Sequence, residues 1–129
     1  MAKKIAEYYI NELSDWIKSS SSYLDEIIVI EQRLEDIVKR NTIVDIAAKV
    51  EVHQLMLDKM TGKFNKLKED LLKQRNELTE NDQPLTNEKI TEEIELKMKM
   101  ASLNYTQTEK EYIDIKYFCN SFLIEMLKK

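Results

Sequence analysis

The chain has 129 residues, a single glycine, a single proline, 34% charged residues and a formal net charge of −4. So few turn formers exclude collagen-like, sandwich and Rossmann architectures, which need frequent tight turns, and the Glu-, Lys-, Leu- and Ile-rich composition reads as long helices in one domain over 1–129. The acidic balance argues against a nucleic-acid or anionic-membrane partner, and the lone Cys119 leaves no internal disulfide and fits a reducing compartment.

The opening residues Met1 to Tyr8 lack the apolar stretch of a signal peptide. A first helix is predicted over about 4–40. It carries the three-four spaced series Ala6, Ile10, Leu13, Ile17, Ser20, Leu24, Ile27, Glu31, Leu34, Val38. Four serines, Ser19 to Ser22, stand inside it. A linker resets helical phase, yet Ile17, Ser20 and Leu24 stay in step, which predicts one continuous helix with Ser20 facing the core and Ser22 facing out. The alternative is a helix start, since Ser22 with Asp25 spells a capping box. The longest aliphatic run, Ile27 to Ile30, is too short to span a bilayer, so a soluble cytoplasmic protein is expected.

Asn41-Thr42, with Asp45 three residues after Thr42, opens a second helix over about 42–79. Its seam reads Ile46, Val50, His53, Leu57, Met60, Phe64, Leu67, Leu71, Gln74, Leu78. The polar stretch Glu80 to Leu85, with the only proline, ends at Thr86, a predicted N-cap for a third helix over about 86–128. That helix carries Ile94, Met98, Ala101, Tyr105, Thr108, Tyr112, Ile115, Cys119, Phe122, Met126. Three such seams predict an all-α fold: an up-down-up antiparallel three-helix bundle with coiled-coil spacing.

Turns centred near 41 and 83 set Ser20 level with about residue 62, between Met60 and Phe64, and that level against Ala101 and Tyr105, so that small Ser20 and Ala101 make room for large Phe64 and Tyr105. The same indexing places Glu31, His53 and Tyr112 in one polar core layer. A histidine with a carboxylate and a phenol reads as a pH-sensitive layer or a catalytic remnant, against the plainer reading of a satisfied core histidine that fixes helix register. Cys119 falls about six residues from the level of His53, or ~9 Å, so the two form no nucleophile pair. No HxxxH, CxxC or Glu-x-x-His spacing exists, so no metal, cofactor or catalytic residue is assigned. The stripe Lys59, Lys63, Lys66, Lys73 is interrupted by Asp58, Glu69 and Asp70 and reads as a solvated face.

Apolar residues left over on the outer faces, Val44, Ala48, Val52 and Leu55 on the second helix and Ile113, Tyr117 and Ile124 on the third, point to an interface, most simply with a second copy. The stretch from Ile30 to Met60 resembles small helical proteins of Bacteroidota genomes, through Arg33-Leu34-Glu35, Asn41-Thr42, Val50-Glu51 and Gln54. The resemblance implies a similar three-helix fold and brings no activity, cofactor or site residue. Trp16 and His53 also invite comparison with spectrin-like repeats, but their spacing is too long and the third helix has no tryptophan. The expectation is a non-enzymatic structural or interaction module that forms a homodimer. The alternative is a chaperone or adaptor whose third helix binds a protein partner's amphipathic helix.

Overall fold

The computed structural model describes residues 4–40 and 44–128. Helix α1 (Ile5–Arg40), α2 (Val44–Asn76) and α3 (Glu92–Leu127) run up, down and up around one shared core. The predicted Asn41-Thr42 cap lies outside the described residues, as does a start of the second helix at 42. With 36 residues at ~1.5 Å each, α1 is ~54 Å long.

Helix α1 passes through the serines without a break. Ser20 is fully buried, Ser19 and Ser21 are half-buried, and Ser22 is exposed, its hydroxyl donating to the Lys18 carbonyl at 3.2 Å. Phase explains the continuity. Ala6, Leu13, Ser20, Ile27 and Leu34 recur every seven residues and are all buried, so breaking the helix at the serines would uncouple two halves of one apolar stripe. Each large aliphatic residue in that stripe contributes roughly 1.5–3 kcal/mol by leaving water. On α2 every predicted seam residue within the helix is buried except Gln74, which is half-buried. Ile30 and Ile37, outside the predicted seam, join the core of α1 as well.

The second connection differs from the expectation. Helix α2 stops at Asn76, and a two-residue ribbon follows, β1 (Thr79–Glu80) against antiparallel β2 (Gln83–Pro84). Its tip, Asn81 and Asp82, has φ of 53° and 62°, the left-handed pair that a tight hairpin turn of this twist requires. Asn and Asp tolerate that region better than other residues with a Cβ. The Leu85 N–H donates to the Leu78 carbonyl at 2.9 Å and extends the pairing. Thr86 does not start α3. It precedes a short 3-10 turn, Asn87–Lys89, and makes no side-chain cap. The working cap is Thr91, whose hydroxyl accepts from the Ile94 N–H at 3.2 Å, with Glu92, Glu93 and Glu95 in the first turn at the positive end of the helix dipole. Asn87 meanwhile accepts from the Ile5 N–H at 3.0 Å and ties the connector to the start of α1.

Candidate functional site

The ribbon and the 3-10 turn make the connector longer and less symmetric than a turn centred at 83, and α3 is displaced along the bundle accordingly. Phe64 of α2 meets Tyr112 edge-on at 5.5 Å, and both meet Tyr23 of α1, at 5.5 and 5.1 Å. One layer away, Trp16 stacks on Tyr105 at 5.7 Å. Ser20 lies between Trp16 and Tyr23 on α1, so its level on α3 falls between Tyr105 and Tyr112, at buried Thr108. The pairing of Ser20 with Ala101 is thereby corrected.

The predicted layer of Glu31, His53 and Tyr112 is not brought together. Each residue meets other groups. The Tyr112 hydroxyl donates to Glu26 Oε1 at 2.9 Å, and Lys116 Nζ donates to the same oxygen at 2.8 Å. Burial alone would raise the Glu26 carboxyl, but the Lys116 and Tyr112 hydrogen bonds more than offset it and hold the group below its ordinary range. A second carboxylate does similar work: Glu109 Oε2 accepts from Tyr23 at 2.6 Å and from Tyr105 at 2.7 Å. Burial first, then the carboxylate acceptors, push the Tyr23 and Tyr112 phenols well above their usual range. This α1–α3 network locks three tyrosines to two glutamates. Its sequence signal was the i, i+4 pairs Tyr105/Glu109 and Tyr112/Lys116.

Glu31 faces Asp58 of α2 instead of His53. Burial is the main reason its carboxyl is pushed up to about 7, with the Asp58 carboxylate second and Glu35 third. A negative charge on half-buried Glu31 beside the Asp58 carboxylate is disfavoured by both burial and like-charge repulsion. Glu31 Oε1 is itself buried and receives no hydrogen bond among the described residues.

His53 is 5% exposed, and its ring lies near parallel to Phe122 at 4.4 Å and to Phe118 at 4.6 Å. Two rings so placed must occupy opposite faces of the imidazole, so His53 is slotted between phenyls one helical turn apart. Its Nδ1 lies 2.8 Å from the Lys49 carbonyl, which can only accept, so Nδ1 carries the proton. Nε2 is buried and has no hydrogen-bond partner among the described residues. Cys119 sits between Phe118 and Phe122 in sequence and is therefore level with His53, which corrects the expected six-residue offset. No hydrogen bond joins the two side chains among the described residues. The thiol is fully buried and raised by burial to about 11, so it is held as an unreactive thiol. Among the described residues no three His, Cys, Asp or Glu side chains are grouped to hold a metal, and no helix is long and apolar enough to cross a membrane.

The outer faces carry what remains. Ala48, Val52, Leu55, Ile113, Tyr117 and Ile124 are all exposed, Tyr117 at 76%. The Val44 side chain lies outside the described part. Of these only Val52 lines the small α2–α3 groove beside His53, about 300 Å³ in volume. A larger α2–α3 groove of about 720 Å³ lies toward the ribbon end, floored by Leu67, Leu71 and Ala101 and walled by Leu96, Met100 and Leu103. Those three wall residues, 59%, 58% and 56% exposed, were missed by sequence reasoning. Their signal was present: Leu96, Met100, Leu103, Gln107, Lys110, Asp114, Tyr117, Ser121 and Ile124 form a second strict four-three series on α3, on a different face from the core seam.

Comparison of the chain with protein-family models, with curated proteins and with solved structures finds no match.

Proposed function

We propose that this chain is a non-enzymatic helical module that acts by self-association, as a homodimer joined through the outer face of α3. The observation that carries the reading is the second seam. Five large apolar residues, Leu96, Met100, Leu103, Tyr117 and Ile124, are each more than half exposed and recur at the spacing by which one helix packs along another. The fate of the polar groups supports a non-enzymatic role: Glu26 and Glu109 are occupied by tyrosines, His53 is enclosed by two phenyl rings, and the Cys119 thiol is buried. A lone buried thiol also fits a reducing, cytoplasmic setting.

A second reading is favoured by the larger groove. Its leucine floor and Met100 wall suit a partner's amphipathic helix, anchored at i, i+4 and i+7 positions, which would make the chain an adaptor. Sedimentation equilibrium over a concentration series, run beside an apolar-dye titration, separates the two. Self-association predicts a dimer that binds little dye. The adaptor reading predicts a monomer that binds dye strongly.

A further inference from the structure

Resting on the self-association reading, we infer that two copies pair through α3 in one antiparallel register, with the two-fold axis beside residue 112. Helix α3 has two seams. The first is consumed inside the bundle by α1 and α2, and the second faces outward along its whole length. At its middle are Lys110 and Asp114, both exposed and, among the described residues, neither ion-paired within its own chain. These two charges select the orientation. A parallel pair would set Lys110 against the partner's Lys110 and Asp114 against the partner's Asp114, like charges directly opposed.

Antiparallel pairing about residue 112 instead puts Lys110 opposite the partner's Asp114, twice by symmetry. The same register sets Met100 opposite the partner's Ile124, Gln107 opposite the partner's Tyr117, and Leu103 opposite the small Ser121 of the partner. Leu96, at the end of the overlap, meets the partner's Lys128, and every other apolar residue of the seam meets an apolar or neutral one. A slip of one heptad toward the N-terminus places Asp114 against the partner's Leu103. A slip of two places Lys110 against the partner's Met100. A third pairs the charges again, but through Lys89, which already holds Glu80, and leaves Tyr117 and Ile124 uncovered. The axis beside 112 is the register that uses the whole seam. Its overlap, residues 96–128, is ~48 Å long and one helix diameter (~10–12 Å) wide, a strip of the order of the ~800 Å² per partner that stable complexes bury.

Ile113 flanks the seam on the side away from α2 and, in this register, lies next to the partner's Ile113 across the axis. Leu103 lies ~27 Å from the partner's Leu103, at ~1.5 Å per residue. Two single substitutions at half-exposed positions therefore read the register: Ile113→Cys and Leu103→Cys, each treated with a short bis-maleimide and resolved by denaturing electrophoresis. Helicity is checked by circular dichroism, and the unsubstituted protein, with Cys119 buried, is the control. The expected result is a covalent dimer from Ile113→Cys and none from Leu103→Cys. Linkage of Leu103→Cys alone, of both variants, or of neither in a protein that still sediments as a dimer overturns this register and leaves self-association standing. A protein that sediments as a monomer at every concentration overturns both.

Discussion

Replacing Ser20 by alanine is expected to stabilise the protein, which is unusual for a core substitution. Ser20 is fully buried, and among the described residues its hydroxyl has no hydrogen-bond partner. Three contributions set the magnitude. Removing a buried hydroxyl that lacks a hydrogen bond recovers roughly 1–3 kcal/mol. Alanine gains ~0.5 kcal/mol of helix propensity over serine. Losing the oxygen forfeits a few dispersion contacts at ~0.1–0.2 kcal/mol each. The net is about 1–2 kcal/mol, or a rise in Tm of roughly 3–8 °C for a domain of this size. Ser22→Ala is the control: Ser22 is exposed and its hydroxyl is bonded to the Lys18 carbonyl, so only the propensity gain, about 0.5 kcal/mol, is expected. Ser20→Leu completes the set and should cost about 1–3 kcal/mol, because extra methylenes in a closed layer force strain. Thermal melts followed by far-UV circular dichroism measure all three. A Tm for Ser20→Ala at or below that of the parent would refute the reasoning.

The Glu31 carboxyl, raised to about 7 in the folded protein, holds its proton more tightly than in the unfolded chain, so stability falls as pH rises from about 4.5 to about 7. Chemical denaturation at pH 5 and pH 8 should show a loss on the order of 1–2 kcal/mol, allowing for the partial exposure of the site, and Glu31→Gln should flatten it. Cys119, raised to about 11 by burial, should resist an aromatic disulfide reagent in the native protein and react promptly once denaturant is added. His53→Ala, which empties the slot between Phe118 and Phe122, should cost about 2–4 kcal/mol in a denaturant melt. His53→Phe, which keeps the stack and removes the unpartnered Nε2, should cost less than ~1.5 kcal/mol.

The fold was legible because hydrophobic phase is a local property of the chain. Ser20 illustrates it: its place in step with Leu13 and Ile27 decided both the continuity of α1 and the inward direction of its side chain. What faces what across helices depends on connector length, and that rested on how residues 77–91 fold. A left-handed pair at Asn81 and Asp82 closes a ribbon that polarity alone does not distinguish from a loop. The resulting displacement moved His53 onto Phe118 and Phe122 and gave Tyr112 to Glu26, while the register of α1 on α2 sets Glu31 against Asp58. The outer seam of α3 was partly legible. Tyr117 and Ile124 stood out within an apolar run, whereas Leu96, Met100 and Leu103 lie among lysines and glutamates and show as one stripe only once the core face is known.

The central claim is that the outer face of α3 joins two copies, and it is tested most directly by sedimentation velocity on the parent and on Met100→Glu/Ile124→Glu side by side. Both positions are exposed, at 58% and 56%, so the bundle keeps its core and its helicity. The account predicts a parent species at twice the 15.3 kDa chain mass and a double variant at the chain mass itself. A parent that stays at the chain mass, or a double variant that remains dimeric, would contradict it.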